Sequence, residues 1–183
     1  MARSTEPATA PSSALKQGRK MADHGDLDRM LVEHACERLI YEYAWLIDSG
    51  AASQVADLFT DDGEWLGADG RGMRGVDEIR EAFTGRQAIA RRRSRHVMTN
   101  VRVDYDGDDG AVATAYLINF RHDASGATTT GPAPADHPKF VGDYSFTFRR
   151  TSRGWRIATL QFALAFLRGR RPSPNWVVTP RAD

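Results

Sequence analysis

The chain has 183 residues, 41% of them apolar, and its 25 Lys and Arg nearly cancel its 24 Asp and Glu. This length and apolar share suit one domain with a real core plus some unpacked tail, and the charge balance gives no reason to expect a nucleic-acid partner. A single cysteine, Cys36, excludes an intramolecular disulfide and a multi-cysteine zinc knot, and no apolar run approaches the roughly 20 residues of a membrane span.

Residues 1–22 are rich in Ala, Ser, Thr and Pro and lack the apolar stretch of a secretory signal, so they read as a disordered N-terminal segment. With the lone cysteine, this fits a reducing, cytoplasmic setting. Leu27, Met30, Leu31, Ala35, Leu39, Tyr43 and Ile47 then recur near helical spacing, which predicts a helix over 26–49 with Asp26 as N-cap and Gly50 as stop. Cys36 lies on it as a small core residue. ASQVADLF (52–59) is a second, short helix, and TDDGEWLG gives a turn and a short strand centred on Trp65. GADGRGMRG reads as a glycine-rich hairpin or strand edge. It lacks the Lys-Ser/Thr ending and the strand-to-helix frame of a phosphate loop. Residues 76–89 form a third helix, with Ile79 and Phe83 four apart.

The second half is different in kind. Residues 93–105 make a strand ending at a DGDDG turn, 111–121 the next, and 122–137 a polar loop rich in Gly, Pro and Ala. Strands 139–150 and 154–167 follow, joined by a TSRG hairpin turn. Residues 168–183 carry Arg and Pro and read as an exposed C-terminal tail, able to wrap a neighbouring subunit. Helices followed by consecutive long strands predict an α+β domain over 23–167, with a curved, mainly antiparallel sheet wrapped as a cone around the N-terminal helices. The small side chains Gly142, Ala113, Ala115 and Ala163 permit strong curvature.

Two residues stand out chemically. Asp48 ends the long helix, and His96 lies on the strand RHVMTNVRVDY. A carboxylate that holds one imidazole nitrogen leaves the other as a base at neutral pH. Each also has a plain role: Asp48 could cap the second helix at Ser53, and His96 could be a structural histidine. By strand parity His96 shares a face with Met98, Asn100 and Arg102, and Val97, Val101 and Val103 form the other. Tyr43, Tyr116 and Asn100 are candidates to donate a hydrogen bond to a developing oxyanion. Tyr41, Trp45 and Trp65 are candidate pocket walls. Arg91–Arg93 with Arg95, and Arg168, Arg170 and Arg171, form basic clusters without an aromatic platform, so solvated faces or subunit contacts are expected. His24, His34, His96, His122 and His137 show no metal-binding spacing, so no metal and no cofactor are expected.

The stretches CERLIYEYAWLIDSGAASQVADLFTDDGEW, GVDEIREAF, RHVMTNVRVDY and GDYSFTFRRTSRGWRIA together resemble the SnoaL-like branch of the nuclear transport factor 2-like superfamily, over about residues 30–165. That superfamily includes scytalone dehydratase, a hexachlorocyclohexane dehydrochlorinase, polyketide cyclases, ketosteroid isomerases and the small subunits of ring-hydroxylating dioxygenases. The resemblance implies that Asp48 and His96 are the catalytic pair of the dehydratase and dehydrochlorinase members, His96 as base and Asp48 as its orienting group. It places Trp65 at a pocket tryptophan of the dehydrochlorinase. Tyr43 and Leu160 stand where that enzyme has a lysine and an arginine, which argues against the same dehalogenation. The Arg121–His122 region is the nearest match to a second strand histidine of scytalone dehydratase.

The resulting expectation is a cofactor-independent lyase, dehydratase-like, or an isomerase or cyclase, acting on a small, largely apolar, cyclic substrate. The alternatives are a non-catalytic small subunit of a ring-hydroxylating oxygenase and a ligand-binding protein of the same fold. The resemblance further implies a homo-oligomer, trimer or dimer.

Overall fold

The structure, a computed structural model, describes residues 24–67, 71–124, 131–134 and 137–168. The expectations for residues 1–22, for most of the 122–137 loop and for the tail beyond Arg168 lie outside the described residues. A long helix, α1 (His24–Ser49), is followed by a short 3-10 helix (Ala52–Leu58), strands β1 (Phe59–Leu66) and β2 (Gly72–Arg74), and helix α2 (Val76–Gln87). Four long strands complete the fold: β3 (Arg92–Tyr105), β4 (Gly110–Asp123), β5 (Phe140–Thr151) and β6 (Gly154–Leu167). All six strands form one sheet in the order β2-β1-β6-β5-β4-β3. Every pairing is antiparallel except that of β1 with β6. The sheet curls around the helices as a cone-shaped α+β fold, open at its edges, as its sequence pattern predicts.

Helix α1 begins two residues before the expected N-cap, so Asp26 falls in its first turn. There a carboxylate complements the positive end of the helix dipole. Gly50 stops the helix at φ +87°, a conformation that costs a glycine little. The packed stripe differs from the expected one. Leu27, Met30 and Leu31 are exposed, and the buried series is Val32, Cys36, Ile40, Tyr43, Leu46 and Ile47. Steps of four, four, three and three, with Ile47 beside Leu46, keep these side chains on one flank of the helix. The Cys36 thiol is wholly buried there, and burial pushes its pKa up to about 12. It stays a protonated, inert thiol.

The sheet presents Ala111, Ala113, Ala115 and Leu117 of β4, Tyr144, Phe146 and Phe148 of β5, and Ile157, Leu160 and Phe162 of β6 to the same core. Each of the large side chains contributes about 1.5–3 kcal/mol by leaving water. Gly142 lies at a register shift in β5, where an added Cβ would overlap the Ala163 carbonyl and the Phe162 ring. The close approach there requires glycine.

One strand departs from simple alternation. The β3–β4 register slips between Thr99 and Arg102, and Asn100 there has φ +51°. The extra residue makes a β-bulge, which inverts the side-chain parity that follows. Ser94, His96 and Met98 face inward before the bulge, and Val101, Val103 and Tyr105 after it. The expected division into a valine face and a histidine face is therefore corrected: the two sets share one face, and Val97 is exposed.

Candidate active site

The last turn of α1 carries Asp48 against the inward face of β3, where it meets Ser94 and His96. Asp48 Oδ1 lies 2.7 Å from His96 Nδ1 and accepts the Ser94 hydroxyl at 2.9 Å. Its Oδ2 accepts the His96 backbone N–H at 2.6 Å. Arg86, near the end of α2, donates to Ser94 Oγ at 2.9 Å. Asp48 is not the cap of the 3-10 helix, because the Ser53 backbone N–H donates to Gln87 Oε1.

Burial by itself would raise the Asp48 pKa. The His96 hydrogen bonds and charge and the Ser94 hydroxyl outweigh it and leave the carboxyl below its ordinary value. An ionised carboxylate only accepts, so Nδ1 of a neutral His96 must carry the proton. Nε2 then keeps its lone pair, and it has no partner among the described residues. The His96 side chain is 11% exposed and lines a cavity of about 100 Å³ inside the cone.

The walls of that cavity fall into two groups. The apolar part is Ile47, Trp65, Phe83, Phe140 and Phe162, with Leu164 and Leu167 toward the end of β6. Among them stand two phenols, Tyr43 and Tyr144, with ring centroids 5.9 Å apart and edge to face. The Trp65 indole donates to Tyr43 Oη at 2.9 Å, and the two hydroxyls are 3.5 Å apart. Burial pushes the Tyr43 pKa up to about 12, and burial and the neighbouring Tyr43 raise that of Tyr144 well above the usual phenol value. Both remain neutral donors across the ordinary pH range. The polar part is Arg86, Arg92, Asn119, Arg121 and Lys139. Asp123 lies between two of these arginines, 2.7 Å from Arg92 Nε and 2.8 Å from Arg121 Nε.

Of the candidates named from sequence, the fold thus brings Asp48, His96, Tyr43 and Trp65 to one place. Tyr41, Trp45 and Met98 do not line that cavity: with Asp48, His96 and Val97 they line a second, more open hollow of about 410 Å³, where Trp45 is 67% exposed. Tyr116 is 52% exposed on the outer face of β4, opposite Leu117 in parity. Asn100 is exposed at the bulge. Tyr144, Ser94, Arg86, Asn119 and Lys139 were not singled out from sequence. Period-two alternation with Phe146 and Phe148 marks Tyr144 as inward, and the same rule applied from His96 marks Ser94. No sequence signal links Arg86 to Ser94. Among the described residues no group of three His, Cys, Asp or Glu side chains converges as a metal site would require. No described helix is long and apolar enough to cross a membrane.

A curved sheet over a long helix, with a mixed polar and aromatic cavity between them, defines a SnoaL-like domain. Residues 28–161 match the family model of that description, and the chain belongs to this family. Its fold is shared with an NTF2-like protein of cystatin-like fold from Novosphingobium aromaticivorans, 26% identical, with 79% of this chain and 91% of that one covered at a TM-score of 0.61. A candidate scytalone dehydratase from the same organism is 21% identical, with 76% and 89% covered and a TM-score of 0.62. A type 2 hexachlorocyclohexane dehydrochlorinase is 18% identical, with 83% and 99% covered and a TM-score of 0.62. No significant match is found among curated proteins.

Proposed function

We propose that the protein is a lyase of the dehydratase type, or an isomerase or cyclase using the same apparatus, in which His96 removes a proton from a carbon of a small cyclic substrate. The observation that carries this reading is the 2.7 Å contact between His96 Nδ1 and Asp48 Oδ1 at the wall of a partly apolar cavity. In that arrangement Nε2 is the base. The imidazolium formed by proton transfer lies beside an ionised carboxylate, which lowers the energy of the charged pair. Negative charge developing on a substrate oxygen would be met by the neutral phenols of Tyr43 and Tyr144. The chain supplies its own base and its own donors. Departure of the adjacent hydroxyl as water, the His96 imidazolium returning its proton to the leaving oxygen, gives dehydration; return of that proton to another carbon gives isomerisation.

Solvent deuterium exchange tests this without knowledge of the natural substrate. Cyclic ketones and β-hydroxy ketones incubated with the protein in D₂O should gain deuterium next to the carbonyl. His96→Ala should reduce that exchange by about 10²-fold or more while the melting temperature stays near that of the wild type. Exchange retained in His96→Ala would remove His96 as the base. A protein that binds such compounds yet exchanges none would be the ligand-binding member of the alternatives.

The protein is further proposed to be a homo-oligomer. Tyr116 and Phe166, exposed by 52% and 72%, and Val112, 50% exposed, lie on the outer face of the sheet. Apolar side chains exposed on one sheet face support a subunit contact there.

A further inference from the structure

The polar end of the cavity carries more positive charge than the reading above uses. Four cations line it, Arg86, Arg92, Arg121 and Lys139, and two described carboxylates lie among them. Asp48 is engaged with His96. Asp123 serves Arg92 and Arg121 together, whose side chains are only 8% and 12% exposed. Among the described residues neither Arg86 nor Lys139 has a carboxylate within ion-pair distance. Of the two, Arg86 stands in the costlier setting. Burial, and then the charges of Arg92 and Arg121, hold its pKa below the usual guanidinium value. A second observation points the same way. Asn119 is 1% exposed and lines the same wall, and its Oδ1 has no hydrogen-bond partner. A buried polar atom left without a partner costs about 1–3 kcal/mol, and a ligand in the cavity is the natural source of one. Holding Asp123 accounts for two of the cations; among the described residues Arg86, which donates to the Ser94 hydroxyl, and Lys139 are left without a paired carboxylate, and Asn119 Oδ1 without a donor.

We propose that this end of the cavity seats a carboxylate, so that the substrate is a small carboxylic acid with an apolar ring-sized body. The carboxylate lies against Arg86 and Lys139, with a hydroxyl or N–H of the ligand reaching Asn119 Oδ1, and the body lies among Phe140, Tyr144 and Phe162. A guanidinium presents a planar fork that matches the two oxygens of a carboxylate. One negative charge answers the one cation in a costly setting, whereas Lys139 is half-buried and keeps access to water. The proposal names the substrate class of the site described above and rests on its being a substrate cavity, not on His96 being the base.

The test measures binding of benzoate, benzamide and phenyl phosphate to the full chain by titration calorimetry. Benzoate should bind roughly tenfold or more tighter than benzamide, and tighter than phenyl phosphate. Arg86→Gln should reduce that preference to near unity while leaving benzamide affinity in place. Lys139→Gln should reduce it at least in part. The Lys139 variant keeps the fold whatever Arg86 does, because Lys139 is tied to the sheet through its backbone, its N–H donating to the Asn119 carbonyl at 2.6 Å and its carbonyl accepting the Arg168 N–H at 3.2 Å. Equal binding of benzoate and benzamide, tighter phenyl phosphate, or a preference unchanged in both variants would overturn the carboxylate seat. Benzoate preference retained in His96→Ala, together with deuterium exchange retained in that variant, would sink the proton-transfer reading and leave the seat standing. Deuterium exchange on neutral ketones without any benzoate preference would do the reverse.

Discussion

Asp48 does three jobs with two oxygens: it accepts the His96 ring, the His96 backbone N–H and the Ser94 hydroxyl. Asp48→Asn keeps the shape and one acceptor oxygen but removes the charge, and its amide can present a donor where the ring nitrogen needs an acceptor. The expected result is a loss of turnover of about 10²–10⁴-fold with a stability loss of about 1–3 kcal/mol. Deuterium exchange and urea titration measure the two separately. The same carboxyl and that of Asp123 also set a pH dependence. For Asp123, burial would raise the pKa, but Arg121 and Arg92 bring it down to about 2; Asp48 is likewise lowered. Groups whose folded pKa lies below the unfolded value of about 3.9 stabilise the fold above that pH, and the contribution is lost as pH falls through the folded value. The melting temperature should therefore drop between about pH 4 and pH 2, and Asp123→Asn should make the drop shallower. An identical acid profile in that variant would exclude Asp123 as a source. Both residues were visible as acids in the sequence. Only Asp48 was chosen from it, because Asp123 acquires meaning from two arginines brought beside it by strand pairing and side-chain reach.

Strand β3 shows how one element can hold two patterns. Up to Met98 the inward residues are even-numbered, and from Val101 they are odd-numbered, because Asn100 is an extra residue in the left-handed region. Asparagine tolerates that region better than most side chains and a β-branched residue worse. Asn100→Val should cost about 1–2 kcal/mol in urea unfolding, and Asn100→Gly should cost little or nothing. An unperturbed Asn100→Val would mean that the bulge relaxes without penalty. The bulge is why strict alternation, extrapolated from His96, misplaced Asn100 and separated the valines from the histidine. A single residue of slip turns every later side chain to the other face. On β5, which keeps its parity from Gly142 to Phe148, alternation alone is enough to place Tyr144 inside.

At the scale of the molecule, the curled sheet has an aromatic interior and an outer face that is also partly aromatic. Tyr116 illustrates the difference. It was weighed as an oxyanion donor, yet it lies one residue from the inward Leu117 and so faces out. If the outer face joins subunits, Tyr116→Lys combined with Phe166→Lys should shift the protein to a smaller species in light scattering and sedimentation, with the cavity unaffected. An unchanged mass would place the subunit contact elsewhere, and a monomeric wild type would reject the oligomer altogether. The order of helices, the long strands, the stop at Gly50 and the resemblance to SnoaL-like proteins were all legible in the chain, because helical and strand periodicities are local properties of side-chain order. The pairing of residues 48 and 96 was anticipated from the resemblance. Its 2.7 Å geometry, the relay through Ser94 to Arg86, the Tyr43–Tyr144 pair and the surplus of cations at the polar end of the cavity were decided only by the tertiary structure. Those features depend on which strands lie side by side, in what register, and how sharply the sheet curls over α1. Such relations join residues tens of positions apart and leave no periodic trace in the sequence.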